Sequence, residues 1–307
     1  MKKIFVLSIL AILFAACSSD DDDNLDNQLV PISLNSKLVV EPRETRQDTQ
    51  IAAGQQVSFF VTKAGNAADI VYNNAILTAD GSGNFTYSYG SENTLYYPLD
   101  NSKVDFYAIH PYSVNNSLSN TLGFEVKQNQ SLITDFLNSD LLYTKSEEVE
   151  KSTRAIGLIF AHKLSKITFE VIQGPGGDLT QLNAIEILNV ESQINMSLSD
   201  GVLSASTSSP TTINPYGVRA GTSGETTVTG ISAIIVPQLF SSAVGKPLFR
   251  FTLGATNFLY TPSADINFET GKKYNYRITI RDNGLSVTSK IEDWLATDDT
   301  EGEGTPE

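Results

Sequence analysis

The chain predicts an all-β protein made of two consecutive β-sandwich domains, and three observations carry that reading. Apolar and polar residues alternate with period two in several segments, and turn-forming residues separate those segments at short intervals. With an N-terminal leader set aside, about 290 residues remain, more than one domain usually holds. Tyr, Phe, Thr, Val and Ile are frequent, which favours strands, and no long stretch carries a 3.6-residue apolar period.

The alternation is plainest in 273–281, where Tyr274, Tyr276, Ile278 and Ile280 are separated by Asn275, Arg277 and Thr279. Such a strand buries one face and wets the other. Segments 166–171 and 249–253 repeat the pattern. Continuous apolar runs at 57–61, 104–109 and 231–236 read as central strands buried on both faces. Segments 130–139 and 213–222 are read as short helices or loops.

Turn chemistry separates these runs. Asp80-Gly81-Ser82-Gly83-Asn84 and Gly174-Pro175-Gly176-Gly177-Asp178 are breaks. Asp200-Gly201, between Met196-Ser197-Leu198 and Val202-Leu203, predicts a hairpin. Asp282-Asn283-Gly284 predicts another, joining the strand ending at Arg281 to Leu285–Thr288. The charged stretch 146–154 marks the expected boundary between an N-terminal domain (29–150) and a C-terminal one (151–296). Residues 297–307 are acidic and Gly-rich, and the composition predicts a disordered tail.

The N-terminus is a leader. Lys2 and Lys3 precede an uncharged apolar run, Ile4 to Phe14, too short for the roughly 20 residues of a membrane span. That is the pattern of a signal peptide, here 1–16. Leu13-Phe14-Ala15-Ala16-Cys17 then resembles the lipobox of bacterial lipoproteins, with Phe14 where leucine is usual. The resemblance implies cleavage before Cys17 and acylation of that cysteine, and two or more acyl chains hold stably at a membrane. Cys17 is the only cysteine, so no intramolecular disulfide is available and stability must come from packing.

An acidic tether, 17–28, follows. Its run Asp20, Asp21, Asp22 and Asp23 repels itself and stays solvated. Together with Ser19, this run resembles the surface-export signal of Bacteroidetes lipoproteins, which implies an outer-membrane anchor facing the cell surface. Without residues 1–16 the chain has 19 Lys+Arg against 35 Asp+Glu, a net charge of −16. Such a surface repels phosphate backbones, so nucleic acid is excluded as a partner.

No catalytic constellation is legible. His110 and His162 are the only histidines, each near a serine (Ser113, Ser165) but with no nucleophile elbow or third residue. No His/Cys cluster has metal-ligand spacing, and the aspartate run lacks the glycine and glutamate of a calcium loop. Neither an enzyme nor a cofactor site is expected.

Five segments together carry a resemblance: Val104-Asp105-Phe106-Tyr107-Ala108-Ile109-His110-Pro111-Tyr112-Ser113, Phe160-Ala161-His162-Lys163-Leu164-Ser165-Lys166-Ile167, Ile234-Ile235-Val236-Pro237-Gln238, Gly271-Lys272-Lys273-Tyr274-Asn275-Tyr276 and Ile291-Glu292-Asp293-Trp294. In order and spacing the chain resembles the fimbrillin family of Bacteroidetes, the subunits of Mfa/FimA-like pili. The resemblance implies two sandwiches of transthyretin-like topology. It implies export as a lipoprotein, removal of an N-terminal strand by an arginine-specific protease, and assembly with other pilus subunits into a fimbrium by strand exchange. Residues 29–46 hold the candidate removable strand, and Thr45-Arg46 matches the place of the family's cleavage pair, so Arg46 is the expected cut.

One departure stands against a stalk subunit. The family's donor strand is expected near the C-terminus, and only Leu285 to Ile291 offers one here. A tip or anchor subunit, or a non-polymerising surface lipoprotein that binds a glycan or protein partner, is the alternative.

Overall fold

The computed structural model describes residues 25, 27–38, 50–206, 208–282 and 284–294. The observed fold class is all-β. A seven-stranded sheet runs in the order β1 (Leu34–Leu38), β8 (Ile156–His162), β7 (Leu142–Val149), β5 (Val104–His110), β2 (Gln56–Lys63), β3 (Asn66–Ala79) and β4 (Phe85–Ser88). A four-stranded sheet orders β14 (Thr227–Ile235), β9 (Ser165–Gln173), β19 (Lys272–Arg281) and β20 (Gly284–Asp293). A second orders β13 (Thr211–Ile213), β10 (Leu182–Val190), β16 (Phe249–Leu253) and β17 (Thr256–Tyr260). Smaller sheets join β12 (Leu203–Ala205), β11 (Gln193–Ser197) and β6 (Thr121–Glu125), and β15 (Gln238–Phe240) with β18 (Ile266–Phe268). One short helix, α1 (Ile133–Asn138), lies within the 130–139 segment, whereas 213–222 carries the end of β13 and no helix.

Side chains alternate across a strand, and the two cores divide accordingly. Val57, Phe59 and Val61 of β2 and Val104, Phe106 and Ala108 of β5 enter one core with Leu77, Leu158 and Phe160. Phe60, Tyr107 and Ile109 point the other way, into a larger core with Phe136, Leu141 and the two four-stranded sheets. The continuous apolar runs at 57–61 and 104–109 are therefore strands covered on both faces. In the larger core Phe169 of β9 and Tyr276 of β19 pack against Phe249 and Phe251 of β16.

Both expected hairpins form. Met196 lies opposite Leu203, and Arg281 opposite Gly284. The Gly174–Gly177 turn needs its glycines for close approach: a Cβ on Gly177 would stand 2.3 Å from the Ile280 carbonyl oxygen.

The charged stretch 146–154 joins β7 to β8 within the seven-stranded sheet. β7 ends at Val149, a turn follows, and β8 returns antiparallel beside it. The charge of this stretch reflects a hairpin end that projects into water. The chain leaves the sheet at Lys163-Leu164, between β8 and β9. The halves are also linked by pairing, because β6 from the first half lies antiparallel to β11 of the second.

Candidate functional site

The strand expected to be removable, within 29–46, is the segment that closes the seven-stranded sheet. Its even positions point inward: Val30, Ile32, Leu34, Ser36 and Leu38 are all buried, while Leu29 is 66% exposed. The period of two holds over nine residues, so the segment is seated as a strand along its whole length. It joins the core that contains Ile51, Phe85, Leu95 and Leu158.

Both edges of this strand are engaged. On one side β1 runs parallel to β8, with Leu34 opposite Ile156 and Leu38 opposite Phe160. On the other side the Ser36 amide donates to the Gly83 carbonyl at 2.7 Å. Further along that side, the Ile32 amide donates to Leu95 O at 2.7 Å and the Tyr97 amide to Val30 O at 3.0 Å. The Tyr87 hydroxyl accepts from the Leu34 amide at 2.8 Å, and burial raises the pKa of that phenol. β1 thus spans the gap between β8 and the segment around β4. Without it, two strand edges and an apolar slot would face water, the combination that invites another strand.

The loop 80–84 shapes one wall of the slot. The Asp80 carboxylate accepts from the Ser82 amide at 2.7 Å and the Asn84 amide at 3.0 Å. The Asn84 side-chain amide and these two bonds hold its pKa below the usual carboxylate value. They turn the Gly83 carbonyl toward β1. Gly83 has φ of 95°, and a Cβ there would lie 3.1 Å from the Ser36 carbonyl oxygen, so glycine fits both the conformation and the contact.

The lipidation residue Cys17, the export residues Ser19, Asp20, Asp21, Asp22 and Asp23, and the cleavage residue Arg46 lie outside the described residues. Arg46 falls in 39–49, the stretch that joins β1 to Gln50.

Leu285 to Ile291, the candidate donor, forms most of β20. Each of the ten residues of β20 lies opposite one of β19, at the edge of the sheet.

The two histidines, far apart in sequence, converge on Asp140. His110 Nδ1 lies 2.8 Å from the Asp140 carbonyl oxygen, an acceptor only, so Nδ1 carries the proton. Its Nε2 faces the Gln55 amide at 3.1 Å. His162 Nδ1 meets the Asp140 carboxylate at 2.9 Å, and the ring stacks on Trp294 at 3.8 Å between centroids. Asp140 Oδ2 and His162 Nε2 are buried without a partner among the described residues. Ser165 donates to the Glu269 carbonyl at 2.7 Å, and Ser113 Oγ accepts from the Asn115 amide. Neither arrangement makes a nucleophile–base pair with a histidine. This cluster ties the ends of β5, β8 and β20 to the loop after α1. Sequence reading missed it because no local spacing encodes it.

Burial pushes the His110 pKa below the ordinary histidine value, and His162 adds to this, while Asp140 opposes it. The neutral ring is thus favoured by folding, and the unfolded chain takes up the proton first as pH falls. Stability conferred by His110 is fully present above about pH 6.5 and declines below it. Melting temperatures measured from pH 8 to pH 5 are expected to fall with acid. The fall should be shallower in His110→Gln, and an unchanged slope would discard His110 as its source.

Among the described residues, no group of three or more His, Cys, Asp or Glu side chains could hold a metal ion. No helix among them is long and apolar enough to cross a membrane.

An all-β protein of several sheets, whose own N-terminal strand fills an apolar slot and closes a sheet, is the class defined here. The chain belongs to the fimbrillin-like family, whose model matches residues 45–294. A relative from Bacteroides uniformis, provisionally named fimbrium subunit Fim1C, is 24% identical over 309 aligned residues, covering 95% of each chain. Crystal structures of two proteins provisionally named as cell adhesion proteins share the fold. That from Bacteroides uniformis has a TM-score of 0.66 at 22% identity, over 86% of this chain and 98% of its own. That from Bacteroides ovatus has a TM-score of 0.66 at 15% identity, over 88% and 99%.

Proposed function

We propose that this chain is a non-catalytic subunit of a cell-surface fimbrium with a role in adhesion. In this reading it is exported as a lipoprotein on Cys17 and held in the outer membrane. An arginine-specific protease then cuts after Arg46, and the vacated slot accepts a strand from another subunit. The observation that carries the proposal is the seat of residues 30–38, which include β1: this one short segment satisfies two backbone edges and buries four apolar side chains, Val30, Ile32, Leu34 and Leu38. An incoming extended strand would restore all of these interactions at once. The family match and the named relatives support the fimbrial role.

The position in the polymer has its own observation. β20 is committed to β19 over its full length, which favours a tip or anchor subunit over a stalk subunit that donates this strand. A glycan-binding role gains no support from Trp294, which is 5% exposed and stacked on His162 rather than open to a sugar.

The test is the mass of the protein released from intact cells, with and without added arginine-specific protease. Release of a 47–307 fragment that forms heat-sensitive assemblies is the expected result. A chain that stays anchored at Cys17, uncut and monomeric, would overturn strand-exchange assembly.

A further inference from the structure

The slot filled by residues 30–38 is not uniform along its length. Four inward positions hold aliphatic side chains, Val30, Ile32, Leu34 and Leu38, and one holds Ser36, which is 4% exposed. A serine that deep in a row of aliphatic residues marks a narrow place. The Ser36 amide donates to the Gly83 carbonyl at 2.7 Å, and its hydroxyl reaches the same oxygen at 3.4 Å. A Cβ on Gly83 would stand 3.1 Å from the Ser36 carbonyl oxygen, so the loop 80–84 lies directly against the strand here.

The loop is braced from behind and from within. A Cβ on Gly81 would stand 3.0 Å from both the Cβ and the amide nitrogen of Ala53. The Asp80 carboxylate holds the Ser82 and Asn84 amides, and the Asp80 amide donates to the Asn84 carbonyl at 3.0 Å. A side chain longer than serine at position 36 therefore meets a braced wall, and overpacking of that kind is destabilising.

The chain carries the same pattern a second time. Ile32-Ser33-Leu34-Asn35-Ser36-Lys37-Leu38 and Leu285-Ser286-Val287-Thr288-Ser289-Lys290-Ile291 are identical at the second, fifth and sixth places and aliphatic at the first, third and seventh. Ser289 is exposed in β20, so its own sheet sets no size limit there. Leu285 and Val287 are only half-buried and Ile291 is 57% exposed, whereas Ile32, Leu34 and Leu38 are each 5% exposed or less. The pattern fits the slot better than it fits β20.

We infer that the vacated slot selects its occupant by side-chain size. It admits an extended strand of another subunit with aliphatic residues at the places of Ile32, Leu34 and Leu38 and a small residue at the place of Ser36. Such selection presupposes strand exchange after cleavage at Arg46. Position 36 then also sets the register, because a shift of two residues keeps the same face inward but presses an aliphatic side chain onto loop 80–84.

In the intact full chain, Ser36→Ala should shift the melting midpoint by less than about 2 °C, and Ser36→Leu should lower it by roughly 2–12 °C. In the chain cut after Arg46, a labelled 28–46 peptide carrying Ser36→Leu should bind the slot roughly fivefold to 150-fold more weakly than the native peptide. The Ser36→Ala peptide should bind within about threefold of the native one. Because β20 is held by β19, its segment is supplied as a separate peptide of residues 284–293, which should enter the slot and be weakened by Ser289→Leu to a like degree. Equal binding of the native and Ser36→Leu peptides, or an intact Ser36→Leu chain that melts unchanged, would overturn size selection and leave strand exchange standing. A 284–293 peptide indifferent to Ser289→Leu would overturn the register. If no peptide exchanges, the native one included, strand exchange fails and the selection fails with it.

Discussion

A chain cut after Arg46 is expected to retain its severed N-terminal segment until the fold is loosened, and the retention should depend on individual inward side chains. Val30, Ile32, Leu34 and Leu38 are each 5% exposed or less. At about 1.5–3 kcal/mol per side chain, their burial contributes roughly 6–12 kcal/mol before the entropy of ordering the strand is subtracted. Ile32→Ala or Leu34→Ala should each weaken the hold by about 2–5 kcal/mol. That corresponds to a rise in dissociation constant of roughly thirtyfold to several thousandfold. Leu29→Ala, at a position 66% exposed, should change it by less than about threefold. The measurement is exchange of a labelled peptide spanning 28–46 into the cut protein. Equal effects at positions 29 and 32 would show that the strand is not seated by its even face.

The larger core has its own sensitive point in Phe249. Its ring, fully buried, meets Phe169 at 5.0 Å, Tyr276 at 4.7 Å and Tyr260 at 5.6 Å between centroids. Truncation leaves a cavity bounded by three sheet-borne rings that cannot collapse freely. Phe249→Ala is expected to cost about 3–5 kcal/mol, the lost ring–ring pairings included. For a chain of this size, each kcal/mol lowers the melting temperature by about 2–4 °C, so a fall of roughly 6–20 °C should appear in a thermal scan. Leu259→Ala on β17, at a position 56% exposed, is the control and should shift the midpoint by no more than about 2 °C. A Phe249→Ala protein that melts with the wild type would mean that the rings do not form one packed unit.

The local parts of this architecture were legible in the sequence. Alternation at 273–281 placed β19 and its inward tyrosines, and Asp200-Gly201 and Asp282-Asn283-Gly284 placed two hairpins, because period and turn chemistry act over a few residues. Partnership was not legible. Nothing in Leu34–Leu38 states that it lies parallel to β8, more than a hundred residues away. β6 escaped notice because one residue of its five, Phe124, is buried, which leaves little alternation to read. Charge at 146–154 is ambiguous by itself: it reports contact with water, and a hairpin tip satisfies that as well as a linker does. Lys273 is a polar position that the sheet nevertheless buries. At the candidate site, the strand within 29–46 was read from residue pattern and resemblance, whereas Arg46 rests on the resemblance and lies outside the described residues. The convergence of His110 and His162 on Asp140 depends on three distant strand ends meeting.

The pairing of β6 with β11 has a mechanical consequence. Residues 121–125 and 193–197 are hydrogen-bonded in register, so the intervening chain forms a loop closed by five residue pairs. A fimbrium under shear pulls on its subunits, and a load that draws the two halves apart reaches this clasp as well as the covalent connection at Lys163-Leu164. The residues between, 126–192, hold α1 and β7 to β10 and are themselves built into the larger sheets, so rupture of the clasp alone frees little chain. The two attachments therefore share the load, and the clasp spares the single covalent crossing, as a second bolt spares the first.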